Sequence, residues 1–300
     1  MEPFEAERPR LVGIAYRMCR TFDDAEDVVQ EAWLRWQAAA PDSIESPPAW
    51  LTTVVTRLAI DRLRVLERER SRYVGPWLPE PVVDAATADR LAALAGPSSE
   101  DPQWRAELAD SLTTTFLLIL EELSPTERAA LLLVEVFGES QKRAAEILDR
   151  SPEATRQMVS RARRKLREVP DVARPGDSEE RKVAEQFVLA AVTGDFKSLR
   201  SLMAEDVVAL SDGGAETHAA RRPVVGIERV SRYVVNLTKR EVAKAIEPVL
   251  VAGHPGVLVR EGDEPEMVTW FEVVRGQVRR IHSIRNPDKL RHIESHPDLV

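Results

Sequence analysis

The sequence predicts a multidomain chain: two all-α helical domains, the second with a helix-turn-helix, followed by an α+β domain. Three observations predict it. Apolar residues recur at helical spacing over residues 10–72 and again over 104–166. Two stretches rich in proline, glycine and serine, 73–102 and 169–177, interrupt that pattern. Beyond them one helix gives way to short β-branched runs divided by Asp-Gly-Gly, His-Pro-Gly and Arg-Gly turn signals. A chain of 300 residues is long enough for several cores.

In the first domain, 1–72, Ala25, Val28, Val29, Ala32, Trp33 and Trp36 line one helix face. After a loop over 38–48, Leu51, Val54, Val55 and Leu58 mark the inner side of another helix. The linker, 73–103, has a composition that opposes regular structure apart from a short helix over 89–94. In the second domain, 104–169, both Ser124-Pro125 and Ser151-Pro152 read as helix starts. Serine caps free amides, and proline at the first helical position lacks the donor that would be orphaned. Ala144, Ala145, Ile147 and Leu148 form the inner face of a short helix, Asp149-Arg150-Ser151 turns the chain, and Ala154, Met158, Val159, Ala162 and Leu166 face inward on the next. The third domain, 178–292, opens with a helix over 179–193 that turns Val183, Phe187 and Ala190 inward. Strands follow over 207–210, 257–259, 267–274 and 278–284, and a tail occupies 293–300.

The net charge is −8, which is unpromising for a nucleic-acid binder until its distribution is considered. Six bases and no acid lie between Arg156 and Arg167, whereas Asp23 to Glu31 holds five acids and no base. Such segregation implies different partners for different segments. The acidic N-terminus lacks the basic and apolar segments of a secretion signal, and no apolar run reaches membrane-spanning length, so a cytoplasmic location is expected, with no membrane partner. Cys19, the single cysteine, reads as a small core residue.

Arg156, Ser160, Arg163 and Arg167 share one side of the helix after Ser151, with Gln157 and Arg164 beside them. A polar and cationic stripe of this kind suits a helix lying in a major groove, its first half reading base edges and its last arginines holding phosphates. Asp27, Gln30, Glu31 and Arg35 make a mostly anionic face that repels phosphate and suits a cationic protein surface. Around Trp50, six arginines from Arg57 to Arg72 outnumber three acids. They suit either nucleic acid or intrahelical pairs such as Arg57 with Asp61.

The run Asp24-Ala25-Glu26-Asp27-Val28-Val29-Gln30-Glu31-Ala32-Trp33, with Ala49-Trp50-Leu51-Thr52-Thr53-Val54 and Arg57-Leu58-Ala59-Ile60-Asp61, resembles the second conserved domain of extracytoplasmic-function RNA polymerase sigma factors. Leu123-Ser124-Pro125-Thr126-Glu127-Arg128 and the basic helix from Arg156 to Leu166 resemble the fourth. Trp77-Leu78-Pro79-Glu80-Pro81, Asp212-Gly213-Gly214 and Asn286-Pro287-Asp288-Lys289-Leu290 are similar to marks of the sigma J-like subgroup, whose C-terminal extension has the SnoaL-like (NTF2-like) cone-shaped α+β fold. The resemblance implies promoter-specific transcription initiation with core RNA polymerase and promoter DNA as partners. Asp24, Asp27, Gln30, Glu31 and Arg35 would dock on the polymerase, while Trp50, Arg57, Arg62 and Arg64 would engage the minus-10 element. Thr155, Arg156, Gln157, Ser160, Arg163, Arg164 and Lys165 would engage the minus-35 element. Trp77, Leu78, Pro79, Glu80, Pro81, Asp212, Gly213, Gly214, Asn286, Pro287 and Asp288 would be regulatory, with the third domain modulating the chain through the linker, alone or under a small-molecule or protein regulator.

Two departures stand out. Ala215-Glu216 follows Asp-Gly-Gly where related proteins often carry glycine and lysine, and Pro47-Pro48 replaces a position often basic. Related free-standing domains include enzymes, and Asp212, His218, Glu272 and His282 are the candidate polar groups here, yet no catalysis, cofactor or metal is expected. His292 and His296, four apart near Pro297, read as tail rather than ligands. The competing reading is a one-component helix-turn-helix regulator with a ligand-sensing pocket, which leaves the segments around Asp27 and Trp50 without a role.

Overall fold

The computed structural model describes residues 2–39, 44–70, 73–81, 83, 120, 123–168, 178–215, 217–241, 244–291 and 293. The chain divides into two compact units. One comprises Met1–Ser71 with Ala86–Pro170, the other Arg72–Ala85 with Asp171–Val300. The short helix expected over 89–94 and the start of the second helical domain before 120 fall outside the described residues.

In the first unit, α1 (Glu2–Cys19), α2 (Phe22–Ala38) and α3 (Pro47–Arg70) pack on one another. Thr21 caps α2 by accepting from the Asp24 amide. Ala25, Val28, Val29, Ala32 and Trp36 are buried, as the periodicity requires, and Trp36 meets Trp50 edge-on at 5.7 Å. Cys19 is fully buried, and burial pushes its thiol up to about 12, so it is an inert core residue. Helix α4 (Pro125–Leu131) begins with a capping box between Ser124 and Glu127 and runs into a π-turn, Leu132–Val136. Helix α5 (Gln141–Leu148) ends at Asp149, which takes a left-handed conformation, φ 53°. Ser151 then caps α6 (Pro152–Glu168) by accepting from the Ala154 amide at 3.1 Å. Short polar residues tolerate that left-handed step, which lets α5 and α6 meet across a tight turn. Arg128 fastens the unit from inside. It donates to Leu120 O and Met18 O, and burial lowers its pKa to about 10.

In the second unit, α7 (Ser178–Thr193) and α8 (Phe196–Ser201) lead into a six-stranded sheet. Its strands are β1 (Met203–Asp212), β2 (Val224–Val225), β3 (Ala245–Val251), β4 (His254–Glu261), β5 (Glu264–Val274) and β6 (Gln277–Ile284), in the order β2-β1-β6-β5-β4-β3. Strands β3 to β6 form an antiparallel meander, while β1 joins β6 in parallel. Register shifts between β1 and β6, β4 and β5, and β5 and β6 are the irregularities that bend such a sheet. Helix α9 (Ile227–Glu241) and α7 cover one face, where Phe187, Val230, Phe271, Val273 and Ile281 make the core. A final short helix, α10 (Pro287–Leu290), packs against β5.

Several expectations need correcting. His254-Pro255-Gly256, read as a turn, lies inside β4. The turn is Ala252-Gly253, with φ 48° and 82°. Gly256 is there because a Cβ would come within 2.5 Å of Thr269 O, so its signal was close strand approach, not chain reversal. Strand β3 and helix α9 were not expected at all. Residues 73–81 and 83, read as linker, are part of the second unit, and Val83 forms an antiparallel bridge with Val251 of β3. Ile293, read as the start of a tail, is buried, and residues 294–300 fall outside the described residues.

Candidate functional site

Helix α6 presents Arg156, Gln157, Ser160, Arg161, Arg163 and Arg164 to solvent and buries Met158, Val159 and Ala162. Arg163 hydrogen-bonds Glu135 of the π-turn, and Lys165 lies half-buried within 4.0 Å of Glu127. Thr155 departs from the expected stripe. It is fully buried and its hydroxyl donates to Ser151 O at 3.1 Å, so it serves the helix start. The side chains of Leu166 and Arg167 lie outside the described residues.

On α2, Asp27, Gln30, Glu31 and Arg35 are exposed, with Arg35 and Glu31 paired at 3.0 Å. Asp24 is not on that face. It is buried beside Thr21, and its carboxylate accepts from Arg62 Nε at 2.6 Å. Two residues expected on different partner surfaces, Asp24 for polymerase and Arg62 for DNA, therefore hold each other.

On α3, Arg57 does not pair with Asp61, which takes Arg64 at 2.8 Å. Instead Arg57 donates to Ile147 O at 2.9 Å and Glu146 O at 3.4 Å. These carbonyls lie in the last turn of α5, where helix oxygens lack intrahelical donors and the dipole favours a cation. Arg143 of α5 returns the contact, donating to Ala49 O at 2.7 Å and Thr53 Oγ1 at 2.9 Å on α3. Trp50 is half-buried against Trp36.

In the second unit the three remaining motifs meet at one carboxylate. Asp212 is fully buried at the end of β1. Its Oδ1 accepts from the Tyr73 hydroxyl at 2.5 Å and the Gly214 amide at 3.2 Å, and its Oδ2 from the Leu78 amide at 2.8 Å and Lys289 Nζ at 2.6 Å. Lys289 also hydrogen-bonds Leu78 O and sits 3.9 Å from the Trp77 ring centroid. Asn286 caps α10 by accepting from the Asp288 amide and donates its own amide to Tyr73 at 2.9 Å. Burial, then the bond to Asp212, holds the Tyr73 hydroxyl above its usual pKa, so it stays protonated and donates. Gly213 has no room for a Cβ, which would lie 2.6 Å from Ala219 Cβ, and Gly214 turns with φ 62°. Pro79, Glu80 and Pro81 are buried alongside. Of the departures, Ala215 is exposed and Glu216 falls outside the described residues.

The models of Sigma-70 region 2 and Sigma-70 region 4 match residues 4–69 and 114–166. The ECF RNA polymerase sigma factor SigJ of Mycobacterium tuberculosis (strain ATCC 25618 / H37Rv) is 37% identical over 300 residues, covering 95% of this chain and 91% of SigJ. The chain belongs to the extracytoplasmic-function sigma factors. The crystal structure of Mycobacterium tuberculosis SigJ aligns with 34% identity and a TM-score of 0.73, covering 96% of this chain and 97% of that one. A probable sigma factor of the same species, SigI, is 30% identical over 96% of this chain and 93% of its own length. Sigma factors of this family bind core RNA polymerase and direct promoter-specific initiation, and the family is generally non-enzymatic. The one-component regulator is not favoured. Among the described residues no helix is long and apolar enough to cross a membrane.

The expected α+β unit is present in this sigma factor, and its candidate polar groups separate there. His282 and Glu272 do converge, Nε2 to Oε1 at 2.8 Å, both buried. Trp270 stacks on His282 at 5.0 Å, 16° from parallel. Yet Trp270 and Glu272 alternate with Thr269 and Phe271 along β5, so the pair lies on the sheet face opposite the helix-covered one. His254, fully buried and without a hydrogen-bonding partner for either ring nitrogen, is held below its usual pKa by burial, while Glu272 pulls it upward. Asp212 belongs to the node, and His218 is exposed. Lys289 and Tyr73 are the node residues whose roles the sequence did not assign. Neither carries a local signal for convergence across more than 200 positions.

Proposed function

We propose that this sigma factor docks on core polymerase through Asp27, Gln30 and Glu31 of α2, and reads the minus-35 element with Arg156, Gln157, Ser160, Arg163, Arg164 and Lys165 of α6. The exposure of one polar face on each helix supports the assignment. Trp50 and the outer side of α3 engage the minus-10 element, with Asp24, Arg62 and Thr155 acting as supports for these surfaces. The chain acts in the cytoplasm and its third domain performs no catalysis.

The third domain modulates initiation by holding the linker. One observation carries this reading: a single buried carboxylate, Asp212, binds both the linker, through Tyr73 and Leu78, and Lys289 of α10. Linker residues held there are unavailable to pass through a polymerase, so the node biases a two-state equilibrium toward restraint. Reconstituted transcription with bacterial core polymerase tests it. Lys289→Met and the milder Tyr73→Phe should raise promoter output, the former by at least about five-fold, the lower end of ordinary coupling energies. Unchanged output from both folded variants refutes it.

A further inference from the structure

The helix-covered face of the third domain holds an apolar cavity of about 70 Å³. Its walls are Phe187 and Ala191 of α7, Leu237 of α9, and Val257, Met267 and Ile281 of the sheet. Its rim includes Val192 and Ile246, 45% and 37% exposed, an apolar entrance facing water. The volume is several times the roughly 10–15 Å³ that one water needs, and apolar walls do not hold water in place.

On this hydrocarbon wall the sheet sets a pair of hydroxyls. Thr269 and Ser283, opposite each other on β5 and β6, both line the cavity and hydrogen-bond one another at 2.9 Å. A hydroxyl has one proton and two lone pairs, so the Thr269–Ser283 bond leaves one proton of that pair and several lone pairs unused. Spare hydrogen-bonding capacity on an otherwise apolar wall needs an explanation. Among the described residues no Asp, Glu, His, Lys or Arg lines the cavity, so an entering charge would meet no counterion there.

We propose that this cavity binds a small uncharged molecule, a short hydrocarbon chain bearing one hydroxyl or carbonyl oxygen, with the chain among the apolar walls and the oxygen on the Thr269–Ser283 pair. The arrangement supplies recognition without an acid or base to act on what is bound. It does not depend on whether the linker node governs transcription.

Methyl NMR of the full chain, following Met267, Ile246 and Ile281, tests this with a six-carbon series: hexan-1-ol, hexanoate, hexylammonium and hexane. Hexan-1-ol should shift these methyls saturably, with hexanoate and hexylammonium at least about ten-fold weaker because their charge is uncompensated. Val257→Phe, which fills the cavity, should abolish the shifts. Thr269→Val with Ser283→Ala should weaken hexan-1-ol and leave hexane unchanged. The series on the unaltered chain decides the matter even if a variant fails to fold. Hexanoate binding as tightly as hexan-1-ol, hexane binding as tightly as hexan-1-ol, or no saturable shift up to the solubility of the alcohol each overturns the proposal.

Discussion

Helices α3 and α6 are both rich in arginine, and α3 commits more of it to acceptors within the same unit, although Arg163 of α6 also holds Glu135. On α3, Arg57 reaches the terminal carbonyls of α5, Arg62 holds Asp24 and Arg64 holds Asp61. On α6, Arg156 and Gln157 point to solvent from the first turns of a helix whose N-terminus is well capped. The number of cations therefore says less about nucleic-acid binding than the acceptors within reach. A buried carboxylate or a helix C-terminus in the same chain competes directly with phosphate for a guanidinium.

Replacing Arg156 and Gln157 together by alanine should cut transcription from a minus-35-dependent promoter by at least about ten-fold, since each base-edge contact is worth roughly 1–3 kcal/mol. Unaltered run-off transcription would erase the distinction between the helices. On the α3 side, Arg62→Ala removes the guanidinium bound to the buried Asp24 carboxylate and should lower stability by roughly 1.5–3 kcal/mol, read from urea unfolding. If stability holds and promoter affinity falls instead, Arg62 belongs with the DNA readers. Arg57→Ala should be milder, about 0.5–1.5 kcal/mol. It should appear mainly as faster amide exchange in α5. Thr155→Val should leave promoter affinity within about 0.5 kcal/mol of the parent.

The smallest effect concerns a group with no hydrogen-bonding partner. His254 has a folded pKa depressed below its ordinary value near 6.5, so the unfolded chain takes up the proton first. Its neutral burial stabilises the fold fully above about pH 6.5, and that contribution declines as pH falls below it. The acid-side loss of stability between about pH 6.5 and 5 should flatten in His254→Leu, checked by thermal melting across that window. An equally steep decline in the variant would assign the loss to other groups.

Much of this was legible in the sequence because it is local. The Ser-Pro caps, the buried face of α2 and the polar stripe of α6 follow from spacing and from side chains acting within a few residues. The three-part motif around Asp212 was legible as three separate marks only, because nothing local states that Tyr73 and Asn286 share a hydrogen bond. Thr155 sits in the first turn of α6, where spacing alone did not show that its hydroxyl turns back to Ser151 and is buried. His-Pro-Gly misled because turn formers also serve where two strand backbones approach closely. The cavity had no local signal, being assembled from ordinary apolar residues on several elements.

The most direct test of the division of labour between α2 and α6 is co-elution of the purified chain with bacterial core polymerase on size-exclusion chromatography. The parent chain should travel with the polymerase. Asp27→Lys combined with Glu31→Lys, both on the exposed face of α2, should release it while leaving minus-35 DNA binding by α6 intact. Continued co-elution of the charge-reversed chain would contradict the account.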